Sequence, residues 1–279
     1  MQLSVVISTY NAVAWLEKVL WGFAAQTFRD FELVIADDGS GPETRTLLDA
    51  WQAEFPGRLL HVWHEDRGFQ KSAILNRALV AARTPYVVFT DGDCIPRADF
   101  LAVHAARRRP GRFLSGGYVK LPMPLSQAIT RDDVVTGRAF RPSWLQAGGL
   151  TDPHALAKLA AGRHTARLLN RLTPTRPSWN GHNASGWRSD LLAANGFDER
   201  MQYGGQDREL GERLENAGVR GLQIRYSALC VHLDHGRGYK TPQSMAKNAA
   251  IRAATRQQGL TRTAYGIARA HDQPDADTH

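Results

Sequence analysis

Phe31-Glu32-Leu33-Val34-Ile35-Ala36-Asp37-Asp38-Gly39-Ser40 decides the architecture. Its first part is apolar and β-branched, the composition of a strand buried on both faces, as strands of parallel sheets are. It runs straight into two carboxylates and a glycine, so the carboxyl end of the strand carries charge. Ser40 with Glu43 three residues later forms a capping box, and the helix it opens turns Leu47, Leu48 and Trp51 inward. Upstream, Leu3-Ser4-Val5-Val6-Ile7-Ser8 reads as another buried strand. Ala14, Leu16, Val19, Leu20 and Phe23 then recur at helical spacing, in a helix predicted to end near Thr27. Downstream, Leu59–Trp63 is a third strand, followed by a helix holding Ala73, Ile74, Leu75, Ala78 and Leu79. Thr84-Pro85 turns into a fourth strand, Tyr86–Thr90, which stops at Asp91-Gly92-Asp93.

Strands separated by helices in this way make an open parallel α/β sheet by the right-handed crossover rule. Ligands on such sheets bind beyond the carboxyl ends of the strands. Asp37-Asp38 and Asp91/Asp93 both lie at that edge, which makes their placement more informative than their composition.

The second half is less regular. Residues 98–109 read as helix, ending in Arg107-Arg108-Arg109-Pro110, and Arg112 to Val119 reads as strand. Residues 152–172 are predicted as one long amphipathic helix with Leu156, Leu159, Leu168, Leu169 and Leu172, and with Arg163, Arg167 and Arg171 sharing a face. Pro174 to Gly186 reads as a loop over a site, Gln206 to Ala217 as helix and Leu229–His232 as strand. The tail from Asp272 to His279 is expected to be disordered. With no repeats and no obvious linker, one domain with a C-terminal extension is expected.

The chain has 279 residues, enough for a sizeable core without staples. Hydrophobic residues make up 43% and charged residues 22%, which excludes a disordered or fibrous protein. Cys94 and Cys230 are the only cysteines, so no disulfide framework is implied and a reducing compartment fits. No apolar run approaches a spanning helix. Met1-Gln2-Leu3-Ser4 lacks the basic start of a signal peptide, so a cytosolic location is expected. The net charge of +8 comes mostly from arginine, 29 of the 35 basic residues. Arg is the bidentate donor suited to phosphate, so a polyanionic partner fits, as does a solvated basic surface.

A D-x-D triplet alone is a weak signal, since Asp275-Ala276-Asp277 in the tail also matches. Asp91-Gly92-Asp93 differs by context. It ends an apolar strand, and two carboxylates there repel unless a cation or a hydrogen-bond network joins them. A hard divalent ion that binds diphosphate oxygens is the natural partner, a helix cap with a solvated turn the plain alternative.

Val5-Val6-Ile7-Ser8-Thr9-Tyr10-Asn11, Gln26-Thr27-Phe28, Phe31 to Ser40, and Phe89-Thr90-Asp91-Gly92-Asp93 together resemble the family 2 glycosyltransferases. The match covers about residues 3–120 in order and spacing. Asp66-Arg67-Gly68-Phe69-Gln70-Lys71-Ser72 with Asn76 fits the family's region between the acidic clusters. Asn195-Gly196-Phe197-Asp198 followed by Tyr203-Gly204-Gly205-Gln206-Asp207-Arg208-Glu209-Leu210 is similar to the C-terminal portion of galactosyltransferase-type members.

The resemblance implies an inverting enzyme of the GT-A fold: an open, mostly parallel mixed sheet with a Rossmann-like N-terminal half, flanked by helices. Residues 1–120 would form the donor half and 121–271 the acceptor and catalytic half. It implies a nucleotide-sugar donor, most simply a UDP-sugar, with Mn2+ or Mg2+, and a glycan or lipid-linked acceptor of bacterial surface polysaccharide or lipopolysaccharide. By position, Ser8 and Tyr10 fall where the family contacts the uridine and Asp38 where the base is bonded. Asp91 and Asp93 match the D-x-D, with Asp93 the better direct metal ligand. Asp207 matches the general base, Tyr203 an acceptor-stacking aromatic, and His232 falls near the His that completes the metal shell. Gln206 replaces the acidic residue that usually precedes the base. It can bond a sugar hydroxyl but cannot ionise, which bears on acceptor geometry.

The residues support this division independently. Inverting transfer needs one carboxylate to take the acceptor proton and a cation to hold charge on the departing diphosphate. Asp207 also reads as a helix N-cap, a role compatible with catalysis. His232 reads equally as a structural group, with His235, His182 and Asp234 as neighbouring candidates, and His61/His64 read as structural. A nucleotidyltransferase would need a Gly-rich loop where Ser8-Thr9-Tyr10-Asn11 stands, and a Rossmann dehydrogenase would need G-x-G-x-x-G there. A polyanion binder leaves the strand-end carboxylates unexplained, so nucleic acid is not expected. The arginines of 152–172 point to peripheral contact with the anionic inner face of a membrane, unless its leucines pack on the sheet.

Overall fold

The computed structural model describes residues 1–236 and 241–268. In chain order the strands are β1 (Leu3–Thr9), β2 (Phe31–Asp37), β3 (Leu59–Trp63), β4 (Tyr86–Asp91), β5 (Cys94–Pro96), β6 (Arg112–Ser115), β7 (Gly117–Lys120), β8 (Ala184–Trp187), β9 (Arg220–Gln223) and β10 (Leu229–His232). The main sheet has the order β3-β2-β1-β4-β8-β6-β9, and β5-β10-β7 form a smaller one. In the main sheet every pairing is parallel except those of β8, which runs antiparallel to both β4 and β6. This is the open, mostly parallel mixed sheet flanked by helices that the sequence predicts.

Side-chain alternation distributes the strands over two cores. Val5, Ile7, Leu33, Ile35 and Val88 pack on one face with Leu16, Phe23 and Leu48. Val6, Val34, Val87 and Phe89 pack on the other with Ile74, Leu79, Trp179 and Phe197. A period of two thus puts helices on both sides of the same strands.

Four sequence expectations are corrected. Ser40 caps no helix: Pro42 starts the helix Pro42–Glu54 behind Gly41, and Ser40 Oγ instead accepts from the Asn11 N–H at 2.8 Å. The strand predicted over 112–119 divides into β6 and β7, which enter different sheets. Gly116 and Gly117 allow the step, because a Cβ on either would lie 2.0 Å from Asn183 Oδ1 or from the Arg225 carbonyl. The long helix over 152–172 is two, Pro153–Ala160 and Arg163–Leu172, broken where Gly162 takes extended backbone. The segment predicted as a loop ends in β8, and its Trp179 is fully buried against Phe89 and Phe113. The helix Pro242–Gln257 and strand β9 are further elements with no counterpart in the sequence reading. The tail from Asp272 lies outside the described residues. Among the described residues no helix is long and apolar enough to cross a membrane.

His104 ties this frame together. It is fully buried, with Nδ1 2.7 Å from Ser185 Oγ and Nε2 3.1 Å from Asn183 Oδ1, so it pins β8 to the helix Phe100–Arg107. Burial lowers its pKa to about 4. The unfolded chain therefore binds more protons between about pH 6.5 and 4, and stability falls as pH falls through that window. His104→Gln is expected to be less stable at neutral pH and to lose much of this dependence. Urea unfolding of both proteins at pH 7, 6, 5 and 4 checks it, and parallel pH profiles would remove His104 as the cause.

Candidate active site

Parallel register gathers the strand-end groups. β1 pairs β2 with Thr9 opposite Asp37, and pairs β4 with Ser8 opposite Asp91. β10 lies antiparallel to β5 with His232 opposite Cys94, and the Leu233 N–H donates to the Asp93 carbonyl at 2.8 Å. The smaller sheet thus carries a histidine from late in the chain to the second carboxylate of D-x-D.

Two cavities open at this edge. The first, about 600 Å³, is bordered by Ser8, Tyr10, Asp38, Asp93, His232 and His235 among others. The second, about 430 Å³, is bordered by Asp207, Arg208, Met245 and Arg252. Lys71, Asp91, His182, Tyr203 and Gln206 line both and form the wall they share. All eight residues singled out for donor, acceptor and metal roles border the first cavity, and Asp207 borders the second alone.

The carboxylates have different partners. Asp91 Oδ1 accepts from Lys71 Nζ at 2.6 Å and from Ser8 Oγ at 2.8 Å. Burial opposes its ionisation, but the Lys71 ammonium outweighs burial and holds the carboxyl well below the usual range. Lys71 is raised in turn: burial disfavours its charge, and Asp91, then Asp93 and Asp207, more than offset this. Asp38 gives one oxygen to His64 Nε2 (2.8 Å) and the other to the Gln70 N–H (3.0 Å), and burial still raises its pKa. The His61/His64 pair is therefore structural in a specific sense: His61 holds Asp37 and His64 holds the cavity carboxylate. Tyr10 is half-exposed and donates to Asp66 Oδ2 at 2.9 Å.

Asp93 faces two imidazoles. His232 Nε2 is 3.7 Å from Oδ1 and His235 Nε2 is 3.0 Å from Oδ2, with the two rings stacked. Both Nδ1 atoms lie 2.8 Å from backbone carbonyls, those of Leu233 and Gly236. A carbonyl only accepts, so each Nδ1 carries a proton, and the Nε2 of both rings faces the carboxylate. A carboxylate with two imidazole Nε2 atoms turned toward it is a donor set that suits a divalent ion. Asp93, Cys94 and His232 also bring ligand atoms within 4.8 Å of one another. Burial, with Cys230 beside it, pushes the Cys94 thiol well above its ordinary pKa, and Sγ donates to Asp93 Oδ1 at 3.3 Å, so sulfur is a poor ligand here.

Asp207 is reached through a glycine turn. Gly204 (φ 115°) and Gly205 (φ 85°) occupy backbone that other residues rarely adopt, and they open the helix Gln206–Asn216. The cap residue is Gly205, so Asp207 is not the N-cap. Its Oδ2 accepts from the Gly181 N–H at 3.0 Å and its Oδ1 from the Arg208 N–H at 2.8 Å. Gln206 Oε1 accepts from the Gly204 N–H at 3.1 Å, which points to a structural use of the amide within the turn. Tyr203 stands edge-on to Phe69 at 6.1 Å. Asn248 donates to the carbonyls of Gln202, Tyr203 and Gly204, a clamp on the turn that no sequence signal announced.

Sequence reasoning left Lys71 without a role, although it stands at the start of the helix Lys71–Ala81 within the quoted 66–72 segment. His182 sits in the shared wall. Burial keeps its pKa low, and its buried Nε2 has no hydrogen-bond partner.

Residues 4–109 match the model of the family described as Glycosyl transferase family 2. The chain is 29% identical over 235 residues to the validoxylamine A glucosyltransferase of Streptomyces hygroscopicus subsp. jinggangensis, covering 78% of this chain and 52% of that protein. It spans about half the length of the curated relatives it first matches. Its fold is similar to the mannosyltransferase PcManGT from Pyrobaculum calidifontis in complex with GDP-Man and Mn2+, with a TM-score of 0.57, 22% identity and coverage of 93% and 72% of the two chains. It is also similar to S. aureus TarS 1–349 in complex with UDP-GlcNAc, with a TM-score of 0.59, 15% identity and coverage of 91% and 66%. The matched residues are those that build β1 to β4 and carry Ser8, Asp38, Lys71, Asp91 and Asp93, and over them the chain is similar to the family 2 glycosyltransferases.

Proposed function

We propose that the chain is a glycosyltransferase that moves a sugar from a UDP-sugar to a hydroxyl of a glycan or lipid-linked acceptor, with inversion at the anomeric carbon. One observation carries the reading: Asp93, His232 and His235 border only the first cavity, Asp207 only the second, and Lys71 and Asp91 stand between. The cation side and the base side of a displacement are then separated by a wall that both substrates touch. Residues 1–120 supply the donor side, completed by histidines from β10 and beyond, and 121–271 supply the acceptor side. The role belongs to surface-glycan synthesis, including polysaccharide or lipopolysaccharide.

In this reading Tyr10 and Asp38 receive the uridine, and Ser8 and Lys71 keep Asp91 ionised and fixed. Asp93, His232 and His235 would hold Mn2+ or Mg2+, which when bound would supply positive charge beside the diphosphate. Tyr203 packs on the acceptor sugar, and Gln206 donates from its free amide to a sugar hydroxyl. Asp207 accepts the proton of the attacking acceptor hydroxyl as the new bond to C1 forms. The bond from C1 to the diphosphate oxygen breaks on the opposite side, and its electron pair leaves with the UDP. Two backbone N–H donors hold the Asp207 carboxylate in place for that transfer.

A thermal-shift series with UDP, GDP and their sugars, each with and without Mn2+ or Mg2+, tests the donor assignment through ligand linkage. Stabilisation by UDP compounds that needs the metal is expected. Stabilisation by GDP compounds alone, or none by any nucleotide, contradicts it.

Asp93→Ala is expected to weaken Mn2+-dependent UDP binding by about tenfold or more, read by calorimetry. An unchanged UDP affinity with Mn2+ present would move the cation elsewhere. Asp207→Asn is expected to keep UDP binding and melting temperature while transfer falls by about 10²–10⁴-fold, because the amide keeps the shape and loses basicity. Transfer within a few-fold of wild type would place the base on another group.

A further inference from the structure

The helix Arg163–Leu172 turns one arc to solvent. Its inner side is marked by Ala166, which is buried, and by Asn170, which donates to Ser227 Oγ (2.8 Å) and accepts from the Tyr226 N–H (3.0 Å). At about 100° per residue, Arg163, Arg167 and Arg171 sweep about 80° of the outer side, with His164 beside them and Leu168 and Leu172 next in turn. All six are exposed, the two leucines at 55% and 68%. The sequence reading left open whether the leucines of this region pack on the sheet. Leu159 does, on the preceding helix, but Leu168 and Leu172 do not.

The arc does not stand alone. Arg107, at the end of the helix Phe100–Arg107, feels the charges of Arg109 and Arg167, which lower its pKa after the larger effect of its own partial burial. Among the described residues none of Arg107, Arg109, Arg163, Arg167 and Arg171 has an ion-pair partner. Cations gathered without carboxylates attract an anionic surface, and leucines left bare beside them gain by leaving water. A nucleic acid or other polyanion would satisfy the arginines and leave the leucines in water. A bilayer meets both at once, phosphate at the headgroups and acyl chains just beneath.

We propose that this arc, with Arg107 and Arg109, is the surface on which the chain lies against an anionic membrane. The proposal rests on the outer face of the helix and stands apart from the donor and acceptor assignments. Each arginine near such a surface is worth about fivefold in partitioning.

Sedimentation of the full chain with phosphatidylcholine vesicles, with and without phosphatidylglycerol, tests it at low and high salt. Wild type is expected to pellet with the anionic vesicles at low salt and to stay in solution with the neutral ones. The triple variant R163Q/R167Q/R171Q is expected to lose on the order of 100-fold in partitioning. L168S/L172S leaves the charge unchanged and is expected to lose binding as well, which adhesion by charge alone would not do. Hydrogen exchange on the unmodified protein is expected to slow over residues 163–172 when anionic vesicles are added. Wild type remaining in the supernatant, a triple variant that pellets equally, or protection confined to other segments overturns the proposal. Leucine variants that bind vesicles as wild type does, with duplex DNA bound equally well, assign the arc to polyanions and overturn it too. UDP binding, followed in every variant, reports separately on the donor site.

Discussion

The contact of Lys71 Nζ with Asp91 Oδ1 at 2.6 Å organises the site. Two carboxylates separated by one glycine at a strand end would otherwise repel each other and compete for a single cation. The ammonium settles the competition by keeping Asp91 ionised and occupied, which leaves Asp93 to the imidazoles of His232 and His235. The same lysine begins a helix that holds the second half of the chain. Five residues on, Asn76 donates to the Phe197 carbonyl at 2.9 Å and accepts from the Phe197 N–H at 2.7 Å. One helix thus fixes the charge on the D-x-D motif and anchors the segment that leads to Asp207.

The sheet keeps the two sides at constant spacing. β8 belongs to the second half of the chain yet lies between β4 and β6, and His104 and Tyr86 bond its Ser185 from within the core. Asn183, just before it, donates to the carbonyls of Gly117 and Ala228 and so joins the main sheet to the smaller one that carries His232. The displacement proposed above needs the attacking oxygen, the anomeric carbon and the leaving oxygen in line, and elements locked by buried hydrogen bonds hold substrate-binding groups in place better than loops do.

The N-terminal half was legible in the sequence because buried parallel strands are continuous apolar runs that need no partner to be recognised. β3 was placed to the residue, and β1, β2 and β4 each extend one residue further than read. β8, Ala-Ser-Gly-Trp, and β9, Arg-Gly-Leu-Gln, carry no such run. They are strands because of what they pair with, and pairing between distant segments leaves no local mark. The same limit applies to the site. Asp91, Asp93 and Asp207 sit in recognisable segments, and His235 stands three residues from His232 in plain view. That Lys71 selects Asp91, that His64 holds Asp38, and that Asn248 clamps the glycine turn are facts of tertiary contact. The 152–172 helix splits where Ala161 and Gly162 both take extended backbone, and Gly162 is the poor helix former within an otherwise helical pattern.

Anomalous diffraction from a crystal of the protein with UDP and Mn2+ tests the division of labour most directly. The account requires a single manganese peak at coordination distance from Asp93 and the Nε2 atoms of His232 and His235, with the diphosphate in the same cavity and Asp207 free across the Lys71–Asp91 wall. A manganese peak on Asp207, or UDP seated in the cavity that Asp207 borders, would contradict it.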